Sequence, residues 1–150
     1  MNFTELKEKL KTTFTTIDFR DKDAANGLHL EFSRKDNKDY KFYICVEPHW
    51  NSVLIGARLE SDVNGYFWYD SADRTTEDDK EWEKWVVDYV FDTITTLVNY
   101  KTRIIQRDGL MFTSFKCEYF DTVWKVVTKN RAVRWTIQVP KIKGSKKIYE

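Results

Sequence analysis

The side chains best suited to nucleophilic or metal chemistry are few and scattered in this sequence. The two histidines are His29 and His49, and the two cysteines are Cys45 and Cys117. Neither an HExxH motif nor a CxxC pair occurs, so no side chain has a partner at metal-ligand spacing. His49 lies in a predicted loop and could pair with Glu47 or a distant cysteine, although a lone loop histidine is more often structural. We expect both cysteines to be reduced core thiols, and we expect no metal.

Motifs for nucleotide chemistry do not occur either. The sequence contains neither GxxxxGK nor GxGxxG, and its five glycines leave little from which to build a phosphate cradle. The loop from Asp70 to Asp79 is acidic, but it lacks the alternating ligands and the central glycine of a calcium loop. We therefore expect a protein that is not an enzyme and that needs no cofactor.

Charged and aromatic residues are distributed unevenly along the chain, although the net charge is only +1. From Glu60 to Asp92 there are eleven acidic residues against three basic ones, and from Lys101 to Lys147 there are twelve basic residues against three acidic ones. The two segments could face each other and cancel, or each could form a surface for a partner. The acidic segment contains an unbroken aromatic run, Tyr66 to Tyr69. Two of these four side chains must leave the core face of a strand, unless both faces are covered.

The acidic segment and its aromatic run predict a surface for a protein partner that is itself basic. Acidic residues at the rim of an interface raise the association rate of such a partner, and aromatic side chains are common anchors. The predicted partner-binding residues are Trp68, Asp70, Asp73, Glu77, Asp78 and Asp79. A protein-binding module of this kind could be a toxin-neutralising immunity protein or a phage-encoded inhibitor of a host defence protein.

The basic last third allows a second interpretation, a nucleic-acid-binding component associated with a nuclease system. Lys125 follows Trp124, and Arg131 and Arg134 precede Trp135, so cations and aromatic rings are interleaved as in many nucleic-acid-binding surfaces. No RNP-like, helix-turn-helix or zinc-finger pattern accompanies these residues. A solvated sheet face would show the same composition, so the sequence leaves these alternatives open.

Two helices and two sets of strands must position these residues. Apolar residues at spacings of three and four predict a helix over 2–18 and a longer one over about 77–98, with Thr75 as the N-cap of the second. The side chains expected to be buried on these helices are Leu6, Leu10, Trp85, Tyr89 and Ile94. Alternating apolar residues predict four strands between the helices and about four after the second, with hairpins at Asn64-Gly65 and Asp108-Gly109.

The order helix, four strands, long helix, about four strands has no βαβ rhythm. It predicts an α+β fold in which two helices pack on a mainly antiparallel sheet. Residues 1–140 are expected to form one domain, and 141–150 a basic, flexible tail. The chain has no apolar run of about 18 residues, and its charged N-terminus lacks the apolar core of a signal peptide. We therefore expect a cytoplasmic protein with no membrane contact, whose oligomeric state the sequence leaves open.

The stretch from Tyr40 to Trp85 resembles the C-terminal accessory region of some bacterial and phage PD-(D/E)XK nuclease-family proteins. The resemblance is carried by the strand Lys41–Glu47, by Trp50-Asn51, by Ile55-Gly56-Ala57-Arg58, by the aromatic run and by Trp82. It implies a shared accessory fold. The family's catalytic Asp and Glu-x-Lys do not occur on two neighbouring predicted strands of this chain, so no catalytic residue carries over.

Overall fold

A computed structural model of the chain describes residues 1–21, 27–34, 36, 39–60, 67–74, 77–108, 112–127, 132–135 and 146–150, with the backbone alone at 67–71, 112 and 132–135. In chain order these residues form helix α1 (Phe3–Thr13), strands β1 (Arg20–Asp21), β2 (Leu28–Phe32), β3 (Tyr40–Val46), β4 (Ser52–Leu59) and β5 (Phe67–Asp73), helix α2 (Asp79–Asn99), and strands β6 (Lys101–Asp108), β7 (Phe112–Asp121), β8 (Val123–Val126), β9 (Ala132–Trp135) and β10 (Lys146–Tyr149). A short 3-10 turn, Pro48–Trp50, separates β3 from β4.

Helix α1 begins at a capping box and ends earlier than its apolar spacing predicts. The Asn2 side chain accepts a hydrogen bond from the Glu5 amide, and the Glu5 carboxylate accepts one from the Asn2 amide. This exchange satisfies donors that the first turn of a helix leaves free. The predicted helix extends to residue 18, but α1 ends at Thr13. The range 12–16 contains four threonines, whose β-branched side chains lower helix propensity, and this composition explains the early end.

Strands β1 to β5 form an antiparallel sheet in chain order, which we call sheet 1. Its inner face is built from the apolar residues that alternate along β2, β3 and β4. Ile44 in the central strand lies opposite Leu30 on one side and Ile55 on the other, and all three are fully buried. The predicted turn Asn64-Gly65 lies outside the described residues, but β4 and β5 on either side of it pair antiparallel.

Helix α2 matches the predicted range to within two residues at each end, but a different residue caps it. The Asp78 carboxylate accepts hydrogen bonds from the Lys80 and Glu81 amides at 2.9 Å and 3.0 Å, so Asp78 is the N-cap. Thr75, the predicted N-cap, lies outside the described residues. Carboxylates in the first turn also suit the positive end of the helix dipole.

The prediction that Trp85 is buried is wrong, because 42% of the residue is exposed. The buried residues of α2 are Trp82, Val86, Val87, Val90, Thr93, Ile94 and Leu97. Each residue turns a helix by about 100°, so Trp85 points about 100° away from its buried neighbour Val86. Tyr89 is half-buried for the same reason. The burial predicted for Leu6, Leu10 and Ile94 is confirmed.

Strands β6 to β10 form a second antiparallel sheet, which we call sheet 2. The hairpin predicted at Asp108-Gly109 is confirmed in its strands, since β6 pairs with β7 from Lys101 opposite Phe120 to Asp108 opposite Thr113. Gly109 itself lies outside the described residues. Strands β8 and β9 both pair with β7, at 118–121 and 112–115 respectively.

The segment expected to be a flexible tail contributes a strand to sheet 2. Strand β10 pairs antiparallel with β6, and the Tyr149 hydroxyl donates a hydrogen bond to Gln106 Oε1 at 3.0 Å. Lys101 Nζ also donates to the Glu150 carboxylate at 2.8 Å. A flexible tail therefore does not extend over 146–150, while 141–145 lie outside the described residues.

One hydrophobic core joins the two sheets and both helices, so the predicted α+β fold with antiparallel sheets is confirmed. The core contains the buried residues of α1 and α2, the inner face of sheet 1, and Ile104, Phe115 and Cys117 from sheet 2. The hydroxyls of Tyr40 and Thr102 form a hydrogen bond of 2.7 Å between the sheets. Sheet 2 therefore has an inner face toward this core and an outer face away from it.

Candidate functional site

Four exposed residues follow one line along α2, and we call them the acidic stripe: Glu81, Trp85, Asp88 and Asp92. Their positions i, i+4, i+7 and i+11 place them on one face of the helix. In the described part of the chain, no ion pair uses the three carboxylates. The stripe therefore presents three acidic groups around one large exposed aromatic ring.

Contacts from the N-terminus and from α1 reach α2 on sides other than the acidic stripe. The N-terminal ammonium group of Met1 binds the Glu83 carboxylate, and the Lys9 ammonium group lies 5.1 Å from the ring centroid of Phe91. At about 100° per residue, Glu83 lies about 160° around the helix from Trp85, and Phe91 about 120°. Helix α1 and the buried face of α2 thus leave the stripe accessible.

The aromatic residue of the stripe is held in a stack of three rings. The ring centroid of Trp85 lies 4.9 Å from that of Trp82 with the planes 12° apart, and 5.1 Å from that of Tyr89 with the planes 7° apart. Trp82 is itself fixed, since it is 4% exposed and its Nε1 donates a hydrogen bond to the Trp50 carbonyl. Trp85 consequently has little conformational freedom left to lose when a partner covers it.

The turn Pro48–Trp50 lies beside the first ring of this stack. His49 and Trp50 have φ angles of 58° and 59°, in the left-handed region that residues other than glycine seldom adopt. The turn is held by the hydrogen bond from Trp82 and by the ring of Phe3, whose centroid is 4.6 Å from that of Trp50. Strained backbone of this kind clusters at functional sites, and the exposed His49 side chain extends the surface beside α2.

Four of the residues predicted to bind a partner lie before and at the start of α2. Asp73, Glu77, Asp78 and Asp79 are all exposed. Two of them already have structural roles, because Asp78 caps the helix and Asp79 forms an ion pair with Arg74. These groups add negative charge at one end of the acidic stripe, but the carboxylates that form no ion pair within the described residues lie further along α2.

The other two predicted partner-binding residues, Trp68 and Asp70, lie in β5. Their backbones are opposite Gly56 and Ile55 of β4, and their side chains lie outside the described part of the structure. Their part in binding stays a prediction. Sequence reasoning missed the exposure of Trp85, although its spacing from the three acidic residues of the stripe was a visible signal.

Of the three residues of the nucleic-acid alternative, the structure describes the side chain of Lys125 alone. Lys125 forms a 2.6 Å hydrogen bond with the Asp121 carboxylate, which raises the pKa of Lys125. Lys125 and Trp124 are successive residues of β8 and therefore point to opposite faces of sheet 2. Arg131 lies outside the described residues, and only the backbone of Arg134, in β9, is described.

A thiol and an imidazole meet on the outer face of sheet 1, where sequence reasoning expected no pair. His29 Nε2 lies 2.9 Å from Cys45 Sγ, and its Nδ1 lies 2.8 Å from the Tyr43 hydroxyl. Burial lowers the pKa of His29, and it raises the pKa of Cys45 to about 11 and that of Tyr43 to about 12. All three groups are therefore neutral near pH 7, and the thiol is not an activated nucleophile.

Among the described residues, no ion pair joins the acidic segment to the basic segment. In the acidic segment, Glu60 pairs with Lys41 of β3, and Glu83 pairs with the N-terminus. In the basic segment, Arg103 pairs with Glu118, and both belong to sheet 2. None of these described pairs supports the alternative that the two segments cancel each other.

Comparison with known proteins leaves the function to be argued from these surfaces. No protein-family model matches the chain, and neither a curated protein nor a solved structure matches it. The resemblance to the accessory region of PD-(D/E)XK nuclease-family proteins therefore stays a prediction. Among the described residues, no group of three or more His, Cys, Asp or Glu could hold a metal ion. None of the described helices is long and apolar enough to cross a membrane.

Proposed function

We propose that this protein is a non-catalytic binding module that captures a basic protein partner through the acidic stripe of α2. The observation that carries the proposal is the exposed ring of Trp85, stacked in place among three carboxylates that form no ion pair within the described residues. Exposure of a tryptophan ring to water is unfavourable, and tryptophan is among the commonest anchors of protein interfaces.

The exposed part of Trp85 is large enough to act as an anchor. Full burial of an aromatic side chain removes roughly 150–250 Å² from water, and 42% of Trp85 remains exposed. A partner could therefore cover about 60–100 Å² of this residue, which at about 25 cal/mol per Å² corresponds to about 2 kcal/mol. That value is in the range of an interface hot spot.

The carboxylates of the stripe have a different effect, because they remain at the rim of such an interface. Glu81, Asp88 and Asp92 would attract a positively charged partner during its approach and raise the association rate, with a strong dependence on salt. Close packing against Trp85 would instead slow dissociation. The two kinds of residue can therefore be separated by kinetics.

A nucleic-acid-handling protein is the partner class that we expect. Its substrate is anionic, so its binding surface is basic, and the acidic stripe would compete for that surface. A toxin-neutralising immunity protein, or a phage-encoded inhibitor of a host defence protein, would act in this way.

The proposal is tested by identifying a partner and then measuring its binding with purified proteins. The tagged full-length chain captures candidates from its source cells, and each candidate is assayed by surface plasmon resonance. Asp88→Lys with Asp92→Lys should lower the association rate at least tenfold at low salt and flatten its salt dependence. Trp85→Ala should chiefly raise the dissociation rate, by about tenfold or more.

A charge-matched variant separates the stripe from the effect of net charge. Glu8→Lys with Asp121→Lys changes the net charge equally, but Glu8 lies on α1 and Asp121 at the end of β7. This variant should bind nearly as the wild type does. If it slows association as much as the stripe variant, or if Trp85→Ala leaves the kinetics unchanged, the proposed surface is wrong.

A further inference from the structure

The outer face of sheet 2, which we call the basic face, is a second surface with charge opposite to that of the acidic stripe. Strand register brings five basic residues onto it: Lys101, Arg103, Arg107, Lys116 and Lys146. Two carboxylates, Glu118 and Glu150, share this face. The basic residues come from three strands, so their grouping appears only when the strands are paired.

One end of the basic face is an aromatic platform. Phe120 of β7 is 43% exposed and lies opposite Trp124 of β8, with ring centroids 5.3 Å apart. The Arg103 guanidinium carbon lies 3.8 Å from the ring centroid of Trp124. Two aromatic rings and a stacked guanidinium are thus presented together on a sheet, the kind of surface on which unpaired bases stack.

The centre of the basic face contains an ionised carboxylate, Glu118, whose negative charge is balanced by two neighbouring cations. Burial acts to raise the pKa of Glu118, but hydrogen bonds from Lys116 and Arg103 outweigh it and hold that pKa below its usual range. The Arg103 Nη2 atom lies 2.7 Å from the Glu118 carboxylate. Glu118 therefore fixes two cations in place without making the face acidic.

The other end of the basic face has a small cleft, most of whose lining side chains can donate hydrogen bonds. The cleft measures about 30 Å³ and is lined by Ile105, Arg107, Ser114 and Lys116. Lys146 lies directly opposite Arg107 on the neighbouring strand. No ion pair within the described residues uses Arg107 or Lys146. A cleft of this size holds a water-sized group, so it would admit a single phosphoryl oxygen while the rest of the ligand lies on the open face.

We propose that the basic face binds single-stranded nucleic acid, with a base against Phe120 and a phosphate at the cleft beside Arg107. Phe120 and Lys116 are four residues apart on β7, or about 13 Å at the rise of a strand. The base and the phosphate would therefore belong to different nucleotides of one strand. A duplex keeps its bases stacked inside and cannot use the platform, and an acidic protein would not need it.

Fluorescence anisotropy with the full-length chain and a labelled twelve-residue oligo-dT tests this proposal over a range of salt concentrations. Arg107→Gln with Lys146→Gln should lower affinity and reduce the slope of log K against log salt by about 1.4, since each lost contact on a single strand accounts for about 0.7. Phe120→Ala should weaken binding about tenfold with an unchanged slope. Lys125→Gln is the matched control, because it points to the other face, and it should leave the slope unchanged. Circular dichroism confirms that each variant is folded.

Other outcomes of the same experiment would overturn the proposal. Failure of the wild type to bind the oligonucleotide at low salt would do so, as would equal binding of a duplex of the same length. Displacement by inorganic phosphate at matched ionic strength would assign the cleft to free phosphate. Equal displacement by a polyglutamate peptide would assign the face to an acidic protein. None of these results bears on the acidic stripe, which lies on α2.

Discussion

Replacing Trp82 and Trp85 separately by alanine should distinguish the buried face of α2 from its exposed stripe. The two rings stack on each other, so both variants lose that contact, but Trp82 is 4% exposed and Trp85 is 42% exposed. Removing a buried tryptophan typically costs about 3–5 kcal/mol, and Trp82→Ala also removes the donor to the Trp50 carbonyl. Trp85→Ala leaves no enclosed cavity, and the loss of its two ring contacts, worth about 0.5–1.5 kcal/mol each, gives an expected cost of about 1–3 kcal/mol.

Urea unfolding followed by far-ultraviolet circular dichroism measures both costs. The linear extrapolation gives each free energy of unfolding, and an unchanged m value shows that the unfolded state is comparable. We expect Trp82→Ala to be the less stable variant, by about 2 kcal/mol between the midpoints of the two expected costs. Equal costs, or a larger cost for Trp85→Ala, would mean that α2 is rotated relative to the core and that the acidic stripe is not a surface.

Three further predictions concern a turn, a histidine and the C-terminal strand. Thr122 has a φ of 58°, in the left-handed region. Thr122→Gly should therefore relieve backbone strain and stabilise the fold by about 0.5–1 kcal/mol. A urea midpoint no higher than that of the wild type would contradict this prediction. Burial lowers the pKa of His29 below its ordinary 6.5. The free energy of unfolding should therefore have its full contribution from neutral His29 above pH 6.5, and this contribution should decline as the pH falls from 6.5 toward the folded-state pKa. His29→Gln should remove this decline from the pH profile of unfolding free energy, whereas His49→Gln should keep it. Deleting 146–150 removes β10 from β6, so hydrogen exchange of the β6 amides should accelerate; unchanged exchange would show that β10 adds no stability.

The elements of this fold were predictable where local signals agree. Apolar alternation in β3 and β4, and the long apolar spacing of α2, give ranges within two residues of those observed. The early end of α1 was also visible in its threonines. In contrast, β10 is four residues long and is stabilised by the edge of β6, which lies about forty positions earlier in the chain. A short strand of this kind has no local signal strong enough to predict.

The two surfaces were predictable only in part, because both depend on how elements pack. The acidic charge near α2 was clear from composition, but whether Trp85 is buried depends on the sides that α1 and the sheets cover. The basic face depends on the register of β6 with β7, which places Arg103 opposite Glu118 and Arg107 opposite Ser114. Alternation alone could have shown that Lys125 and Trp124 point to opposite faces of the sheet.

Zero-length carbodiimide cross-linking of the purified complex with its partner, followed by mass spectrometry, shows whether the partner binds the acidic stripe. This reagent joins carboxylates to lysine ammonium groups that already touch, so it reports the contact surface without any substitution. We expect links from Glu81, Asp88 or Asp92 to lysines of the partner, and none from Glu8 or Asp121, whose carboxylates also reach solvent. Links from Glu8 or Asp121 with the three stripe carboxylates unlinked would show that the partner binds a different surface.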